Sequence, residues 1–273
     1  MKNQAPILLA AIALALLPLE AKAAVVLGTS GTFAVLAGST VTNTGTTTIG
    51  GGNVGVSPGT SITGLSTMTI APPFSVHAGD AVAAQAQTAL TSAYNAAAAL
   101  TNATNLSGQD LGGQTLTPGV YAFSSSAALS AGTLTLNDEG NPNAQFVFQI
   151  GTTLITGSGT DIKMSNGGQD PNIFWHVGSS ATLGTGSLFE GHILALDSIT
   201  LDTGANIIDG SALASTGAVT LDGNVIDNAV PEPSALTLAI LGFGLIGLSL
   251  TTRRLREHPR QASSTGLPVD GCR

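Results

Sequence analysis

Three short segments in the last third of the chain nearly repeat one another. They are Ala181-Thr182-Leu183, Ile199-Thr200-Leu201 and Val219-Thr220-Leu221, spaced 18 and 20 residues apart. Alternation of apolar and polar residues is typical of short β-strands. Two longer segments, GHILA at 191–195 and GSALA at 210–214, recur 19 residues apart in the same phase. A period near 20 in such a chain indicates a β-solenoid, in which stacked coils bury a shared interior. A β-sandwich, the alternative, does not explain the in-phase repetition.

Residues 80–100 break this strand pattern, because they are rich in Ala and contain neither Gly nor Pro. Six apolar residues recur at intervals of three or four positions and define one side of the segment. They are Val82, Ala86, Leu90, Ala93, Ala97 and Leu100. This spacing predicts a helix of about five turns with Asp80 as its N-cap. We expect the helix to pack along one face of the solenoid, with Val82, Leu90 and Leu100 facing it.

Charge is scarce in this sequence and excludes several functions. Only 9% of the residues are charged, against about 25% in typical soluble domains. Between residues 24 and 229 there is one base, Lys163, beside twelve acids. One base cannot neutralise a row of phosphates, so the composition excludes nucleic-acid binding. The single Cys272 allows neither an intrachain disulfide nor a cysteine-built metal site.

Catalytic groups are equally sparse. A glycosidase needs two carboxylates about 5 to 10 Å apart, and the candidate pairs, Asp138 with Glu139 and Asp197 with Asp202, are typical of turns. The histidines at 176 and 192 lack a third ligand at a suitable spacing for a metal. The sequence therefore predicts a protein that is not an enzyme and has no cofactor and no metal site.

Both ends of the chain have the features of targeting segments. Lys2, the apolar run 6–17 and the motif Ala21-Lys22-Ala23 predict a secretory signal peptide over residues 1–23. Near the other end, Pro231-Glu232-Pro233 precedes an apolar stretch and then Arg253, Arg254 and Arg256. The stretch 235–252 is predicted to be a short transmembrane helix with a basic cytoplasmic flank.

Pro231-Glu232-Pro233, a short apolar helix and an arginine cluster, in that order, resemble the PEP-CTERM sorting signal of Gram-negative bacteria. The resemblance implies recognition by an exosortase, transient membrane insertion, removal of the helix, and delivery to the envelope or an extracellular polysaccharide layer. The domain organisation is then a signal peptide (1–23), a solenoid domain (24–229), a sorting signal (230–256) and a polar tail (257–273). The tail departs from the usual pattern, in which the chain stops soon after the arginines.

Four segments of the body resemble the microbial ice-binding-like domain. They are residues 27–45 (LGTSGTFAVLAGSTVTNTG), 110–121 (DLGGQTLTPGVY), 172–182 (NIFWHVGSSAT) and 217–224 (GAVTLDGN). The resemblance spans residues 25–229 in order. It implies a discontinuous right-handed β-helix of triangular section with one long α-helix packed alongside. It also implies adsorption to ice, which many members of the family show.

Adsorption to ice needs a flat, rigid face with regularly spaced hydroxyl and methyl groups. Adjacent strands lie about 4.8 Å apart and residues i and i+2 about 6.7 Å apart, spacings comparable to ice-lattice repeats. Thr suits this face because its β-branched side chain is stiff. Alternation turns Thr182, Thr200 and Thr220 outward, although Asp202 and Asp222 are expected on the same side. Surface Thr also has a simpler explanation, since it is a good strand residue.

The resemblance further implies ice contacts at a Thr-(Ala/Gly)-x-(Thr/Asn) pattern. It occurs at Thr44-Gly45-Thr46-Thr47 and at Thr203-Gly204-Ala205-Asn206. A third match, at 88–91, lies on the predicted helix and is set aside. The predicted ice-contacting residues are thus Thr182, Thr200, Thr220, Thr203, Asn206, Thr44, Thr46 and Thr47.

The predicted function is a secreted protein that inhibits ice growth by adsorbing to ice through a Thr-rich solenoid face. The alternative is a non-catalytic adhesin or matrix protein that binds exopolysaccharide, which the sorting signal also favours. Aromatic platforms for sugar are few, namely Trp175, Tyr94 and Tyr121.

Overall fold

A computed structural model describes residues 24–141, 143–165 and 172–228. Strands dominate these residues, together with one long α-helix and short 3-10 turns at Gly28–Thr32 and Leu65–Thr67. Before the helix come β1 (Phe33–Ala37), β2 (Thr40–Asn43), β3 (Thr47–Gly51), β4 (Asn53–Val56), β5 (Ser61–Thr63), β6 (Met68–Ile70) and β7 (Val76–Ala78). The helix α1 is Ala81–Ala98.

The strands after the helix continue the same rhythm of short segments. The first are β8 (Thr104–Asn105), β9 (Thr115–Leu116), β10 (Gly119–Phe123), β11 (Ala127–Leu129), β12 (Thr133–Asn137), β13 (Phe146–Ile150), β14 (Leu154–Thr156) and β15 (Asp161–Ser165). The last are β16 (Ile173–Val177), β17 (Ala181–Leu183), β18 (Leu188–Ala195), β19 (Ile199–Leu201), β20 (Asn206–Ala214), β21 (Val219–Leu221) and β22 (Val225–Asp227).

These strands form three parallel ladders, which we name faces A, B and C. Face A is β7-β4-β1-β20-β18-β16-β13-β10-β8, using the C-terminal halves of β18 and β20. Face B is β5-β2-β21-β19-β17-β14-β11. Face C is β6-β3-β22-β20-β18-β15-β12-β9, using the N-terminal halves of β18 and β20. Each complete coil thus gives one strand to each ladder, and only the terminal coils, with β7 at one end and β8 and β9 at the other, are incomplete. This arrangement confirms the predicted solenoid. A sandwich is ruled out because its sheets are antiparallel.

The order of the coils in space differs from their order in the sequence. Val41 of β2 pairs with Val219 of β21, and Val35 of β1 pairs with Ala212 of β20. The two N-terminal coils therefore stack on the C-terminal one. Between β7 and β8, which lie at opposite ends of face A, the connecting segment contains α1.

A row of aromatic side chains fills one end of the interior. Tyr121, Phe148 and Trp175 occupy the same register position in adjacent strands, with ring centroids 5.4 and 3.8 Å apart, and Phe189 follows at 5.1 Å. The indole N–H of Trp175 donates to the backbone oxygen of Glu190 at 3.0 Å, so the ring's polar atom is satisfied. Trp175 is the only tryptophan in the sequence and is fully buried, which makes its fluorescence a reporter of folding.

Helix α1 begins as the sequence predicts. The Asp80 carboxylate accepts a hydrogen bond from the Ala83 amide at 2.9 Å, the geometry of an N-cap. Leu90 is fully buried, in a cluster with face A residues such as Phe33 and Leu213. The other buried residues of the helix are Ala83, Ala86, Ala93 and Ala97.

Two details of the predicted helix need correction. Val82, predicted to face the solenoid, is 47% exposed, because the buried stripe passes through Ala83 instead. Leu100 lies beyond the end of the helix and is partly buried against the same cluster. Four of the five buried residues of α1 are therefore alanines.

One carboxylic acid on face C has a strongly raised pKa. Glu190 of β18 accepts a hydrogen bond from the Met164 amide at 2.7 Å. Burial, with smaller contributions from the charges of Asp209 and Asp161, raises the pKa of its carboxyl to about 7, although the hydrogen bond from the Met164 amide acts to lower that pKa. The unfolded chain ionises this group near 4.5, so the folded state binds the proton more tightly.

We expect Glu190→Gln to stabilise the protein at alkaline pH. Since the folded pKa is raised, the wild type loses stability as pH rises from about 4.5 to about 7. A shift of this size corresponds to at most about 3 kcal/mol, and partial exposure reduces it to about 1–2 kcal/mol. Gln keeps an acceptor for the Met164 amide but carries no charge. Urea unfolding followed by Trp175 fluorescence should show the gain at pH 8 and none at pH 4.5. An equal difference at both pH values would contradict the assignment.

Candidate functional site

Face B carries an outward row of threonines in register. Thr182, Thr200, Thr220, Thr42 and Thr63 occupy equivalent positions in five consecutive strands. In β17, β19 and β21 the residues on either side of each Thr are buried, while the Thr is partly exposed. At about 4.8 Å per strand, the row is about 19 Å long. Beyond Thr182 the same position holds Ile155 and then Ala128.

The structure brings together three threonines that the sequence predicts and two that it missed. Thr182, Thr200 and Thr220 lie side by side, as their spacing predicts. Thr42 and Thr63 extend the row because β2 stacks on β21. The alternation in Thr40-Val41-Thr42-Asn43 gave a local sign that Thr42 faces outward, but nothing local shows which coil lies next to it.

A second row of hydroxyl groups runs beside the first. Two residues before the threonines lie Ser180, Ser198, Thr40 and Ser61, with Ala218 interrupting the series. The Ser180 hydroxyl oxygen accepts a hydrogen bond from the Ser198 backbone amide at 3.3 Å. The Ser198 hydroxyl oxygen accepts one from the Ala218 backbone amide at 3.1 Å. These bonds fix the serine side chains. Since residues i and i+2 are about 6.7 Å apart along a strand, the two rows form a two-dimensional array.

The turn between faces B and C contains the first predicted motif, residues 44–47. Thr44 and Thr46 are exposed, and the Thr44 hydroxyl donates to the Leu221 oxygen at 3.2 Å. Thr47, also predicted to contact ice, is fully buried. Its hydroxyl donates to Asn43 at 2.6 Å and accepts the Asn224 amide at 3.2 Å. Thr47 therefore supports the turn and is not part of the surface.

The second motif, residues 203–206, lies two coils from the first, because β21 and its turn stand between β19 and β2. Thr203 is exposed and donates to the Asp222 carboxylate. Asn206 is partly exposed at the start of β20, on face C, where its oxygen accepts the Val225 amide at 2.6 Å. Asp202 and Asp222, each two residues beyond a row threonine, are partly exposed at the turn toward face C. They border the threonine row without interrupting it.

The carboxylates and histidines considered for catalysis serve local structure. Asp138 is almost fully buried and accepts the Gly140 amide at 3.0 Å, a turn contact. Asp197 accepts the Ser179 hydroxyl at 3.1 Å. His192 bonds to Ser211 at 2.8 Å, whereas His176 packs against Tyr94 with ring centroids 4.1 Å apart. Within residues 24–141, 143–165 and 172–228, no group of three His, Cys, Asp or Glu side chains is placed to hold a metal.

The predicted targeting segments lie outside the described residues. These are the signal peptide (1–23), the membrane helix (235–252), the sorting residues Pro231, Glu232, Pro233, Arg253 and Arg254, and the tail (257–273). In the part of the chain that is described, no helix is long and apolar enough to cross a membrane.

The sequence from residue 35 to residue 227, nearly all of the strands described above, matches the family model described as Ice-binding-like. The chain belongs to the ice-binding-like family. Residues 229–254 match a second model, the PEP-CTERM protein-sorting motif, so both resemblances seen in the sequence are confirmed.

Relatives within the ice-binding-like family cover three quarters or more of the chain. It is 52% identical over 264 residues to an ice-binding protein of Nostoc sp. (strain HG1), covering 91% of this chain and 94% of the relative. It is also similar to the crystal structure of an ice binding protein from an Antarctic Biological Consortium, with a TM-score of 0.71, 46% identity and coverage of 75% and 91%. The ice-binding protein of the Antarctic ascomycete Antarctomyces psychrotrophicus gives a TM-score of 0.71, 39% identity and coverage of 76% and 99%.

Proposed function

We propose that this chain is an exported ice-binding protein that adsorbs to ice through face B. The observation that carries the proposal is the row of five threonines in register, Thr182, Thr200, Thr220, Thr42 and Thr63. The names of its relatives, which are ice-binding proteins, two of them from Antarctic sources, support it. Adsorption to ice requires no catalytic group.

Face B has the physical properties that adsorption needs. Its strands are hydrogen-bonded to neighbours on both sides except at the two ends, so the backbone is rigid. Each threonine is stiff at χ1, and little side-chain entropy is lost when it meets the ice lattice. No charged side chain lies in the threonine row. A charged group there would bind its own hydration shell tightly and disturb the ordered water next to the ice. Thr203, Thr44 and Thr46 extend this surface at its border with face C.

We further infer the overall form of the solenoid as right-handed and triangular in section, with α1 along face A. The support is that each complete coil gives one strand to each of three ladders and that, of the three faces, α1 shares a buried cluster with face A alone. Because the helix covers part of face A, faces B and C are the two faces that no helix covers. Of these two, face C carries charges, including Lys163, Glu190 and Asp227, whereas the central row of face B carries none.

The direct test is to purify residues 24–228 and measure thermal hysteresis and inhibition of ice recrystallisation at tens of micromolar. We expect both activities, with adsorption of fluorescently labelled protein to a growing ice crystal. A folded protein, judged by Trp175 fluorescence and circular dichroism, that shows neither activity would refute the proposal.

The sorting motif supports a proposed route to the cell exterior. The protein would be exported by the segment 1–23, held in the membrane by 235–252 and cleaved by an exosortase near Pro231-Glu232-Pro233. Release to the envelope or outside the cell follows. We expect mass spectrometry of protein recovered from an exosortase-bearing host to find a mature start at Ala24 and no peptide from the tail. Secreted protein that still ends at Arg273 would contradict this route.

A further inference from the structure

A cavity of about 470 Å³ opens on face A, away from the threonine rows. Its polar lining consists of Asn105, Ser107, Ser124, Gln149 and His176, and its apolar lining includes Ala98, Ala122 and Ile150. The volume is in the range of small-molecule sites, about 300–1,000 Å³. Ice adsorption through face B makes no use of this cavity.

The cavity exists because α1 ends before face A does. Asn105, Ala122, Gln149 and His176 stand at one register position in four adjacent strands. The last turn of the helix is held over this row by Gln149, whose amide nitrogen donates to the Ala97 oxygen at 2.8 Å and the Leu100 oxygen at 2.9 Å. The small side chain of Ala122 beyond that point leaves the row open.

Hydrogen bonds within the lining fix which groups remain for a ligand. The Asn105 oxygen accepts the Ser107 amide at 2.9 Å, which leaves the Asn105 NH2 to donate. The Ser107 oxygen accepts the Ser124 amide at 2.8 Å, which leaves its hydroxyl hydrogen to donate. Gln149 commits its NH2 to the helix and keeps its oxygen as an acceptor. One cavity thus offers several hydroxyl and amide groups with set orientations.

The lining carries no formal charge. None of its residues is Asp, Glu, Lys or Arg, and burial lowers the pKa of the His176 ring, which keeps it neutral near pH 7. The His176 Nδ1 atom is buried without a hydrogen-bond partner in another residue. A phosphate or carboxylate ligand would find no basic side chain here, and a cation would find no carboxylate. A charged ligand would therefore lose its hydration in the cavity without gaining an ion pair, which disfavours its binding.

We propose that this cavity binds a neutral sugar unit, such as one hexose residue of an uncharged polysaccharide. Its hydroxyls can both accept from Asn105 and Ser107 and donate to Gln149, while its C–H face packs on the accessible side chains of Ala98 and Ala122. The site is on a different face from the threonine rows. The protein can therefore hold a polysaccharide and adsorb to ice at the same time.

The test is saturation-transfer NMR of the full chain with a panel of neutral methyl glycosides, those of glucose, mannose and galactose. At least one is expected to receive saturation and to shift the His176 ring resonances. Glucuronate and glucosamine, which carry charges, are expected to bind at least tenfold more weakly. No transfer to any of the three glycosides at 20 mM would overturn the proposal.

Two variants locate the binding. Ala122→Phe fills the cavity and Asn105→Asp places a charge in it without changing its size, and each should weaken binding at least tenfold. If both fold and bind as the wild type does, the site is elsewhere and the proposal fails. Thr200→Tyr should keep glycoside binding, and Asn105→Asp should keep thermal hysteresis. Failure of the sugar site is thereby distinguished from failure of ice binding.

Discussion

Thr200→Tyr is expected to remove most of the thermal hysteresis while leaving the fold intact. Thr200 lies inside the row on face B, between Thr182 and Thr220. A phenol ring at this position would protrude beyond its neighbours and hold the flat array away from the ice lattice. Because adsorption depends on many groups fitting at once, we expect at least a tenfold loss of activity, about 1.4 kcal/mol of effective adsorption energy. Hysteresis measured at matched concentrations is the readout.

Matched substitutions distinguish an effect on the threonine array from an effect of adding a ring elsewhere on the surface. Thr200→Val keeps the shape of the side chain and loses the hydroxyl, so it should be milder than Thr200→Tyr. Thr48→Tyr puts the same ring on face C, at an exposed position of β3, and should leave activity unchanged. The opposite pattern, with Thr200→Tyr active and Thr46→Tyr inactive, would move the ice-binding surface to the turn at residues 44–47.

The sequence predicts the solenoid because coil stacking imposes a visible period. Similar triplets such as Ile199-Thr200-Leu201 recur because each coil places a residue over the equivalent residue of the next coil. The sequence does not show which coil stacks on the C-terminal coil. The pairing of Val41 with Val219 joins residues 178 positions apart, and no local pattern records it. For this reason three of the five row threonines could be predicted and Thr42 and Thr63 could not.

Two wrong assignments have local physical causes. Thr47 has the same strand parity as Ile49, which is buried, so alternation places it inward, where Asn43 satisfies its hydroxyl. The match to the Thr-(Ala/Gly)-x-(Thr/Asn) pattern led to its prediction as a surface residue, although the strand alternation indicates the opposite. Val82 was placed inward because it is the larger apolar residue of the first turn. The helix instead buries Ala83, since close approach to face A favours the smaller side chain.

Ala93→Leu is expected to destabilise the protein by about 1–3 kcal/mol through overpacking. Ala93 is 1% exposed and belongs to the cluster between α1 and face A. The four buried alanines of the helix let its backbone lie close to the sheet, so three added carbons have no free volume beside them. Either the helix shifts outward, which opens gaps around Leu90, or the new side chain adopts a strained rotamer. Urea unfolding followed by Trp175 fluorescence gives the magnitude.

Ala96→Leu provides the control for this effect, because the same carbons are added to the same helix at an exposed position. Ala and Leu have similar helix propensities, so the control should change stability by no more than about 0.5 kcal/mol. The difference between the two variants then measures the packing of α1 alone. If Ala93→Leu is as harmless as Ala96→Leu, the helix has room to move from face A. In that case the alanine stripe does not set the distance between helix and sheet, and the rigidity of the solenoid behind face B rests on its strand ladders alone.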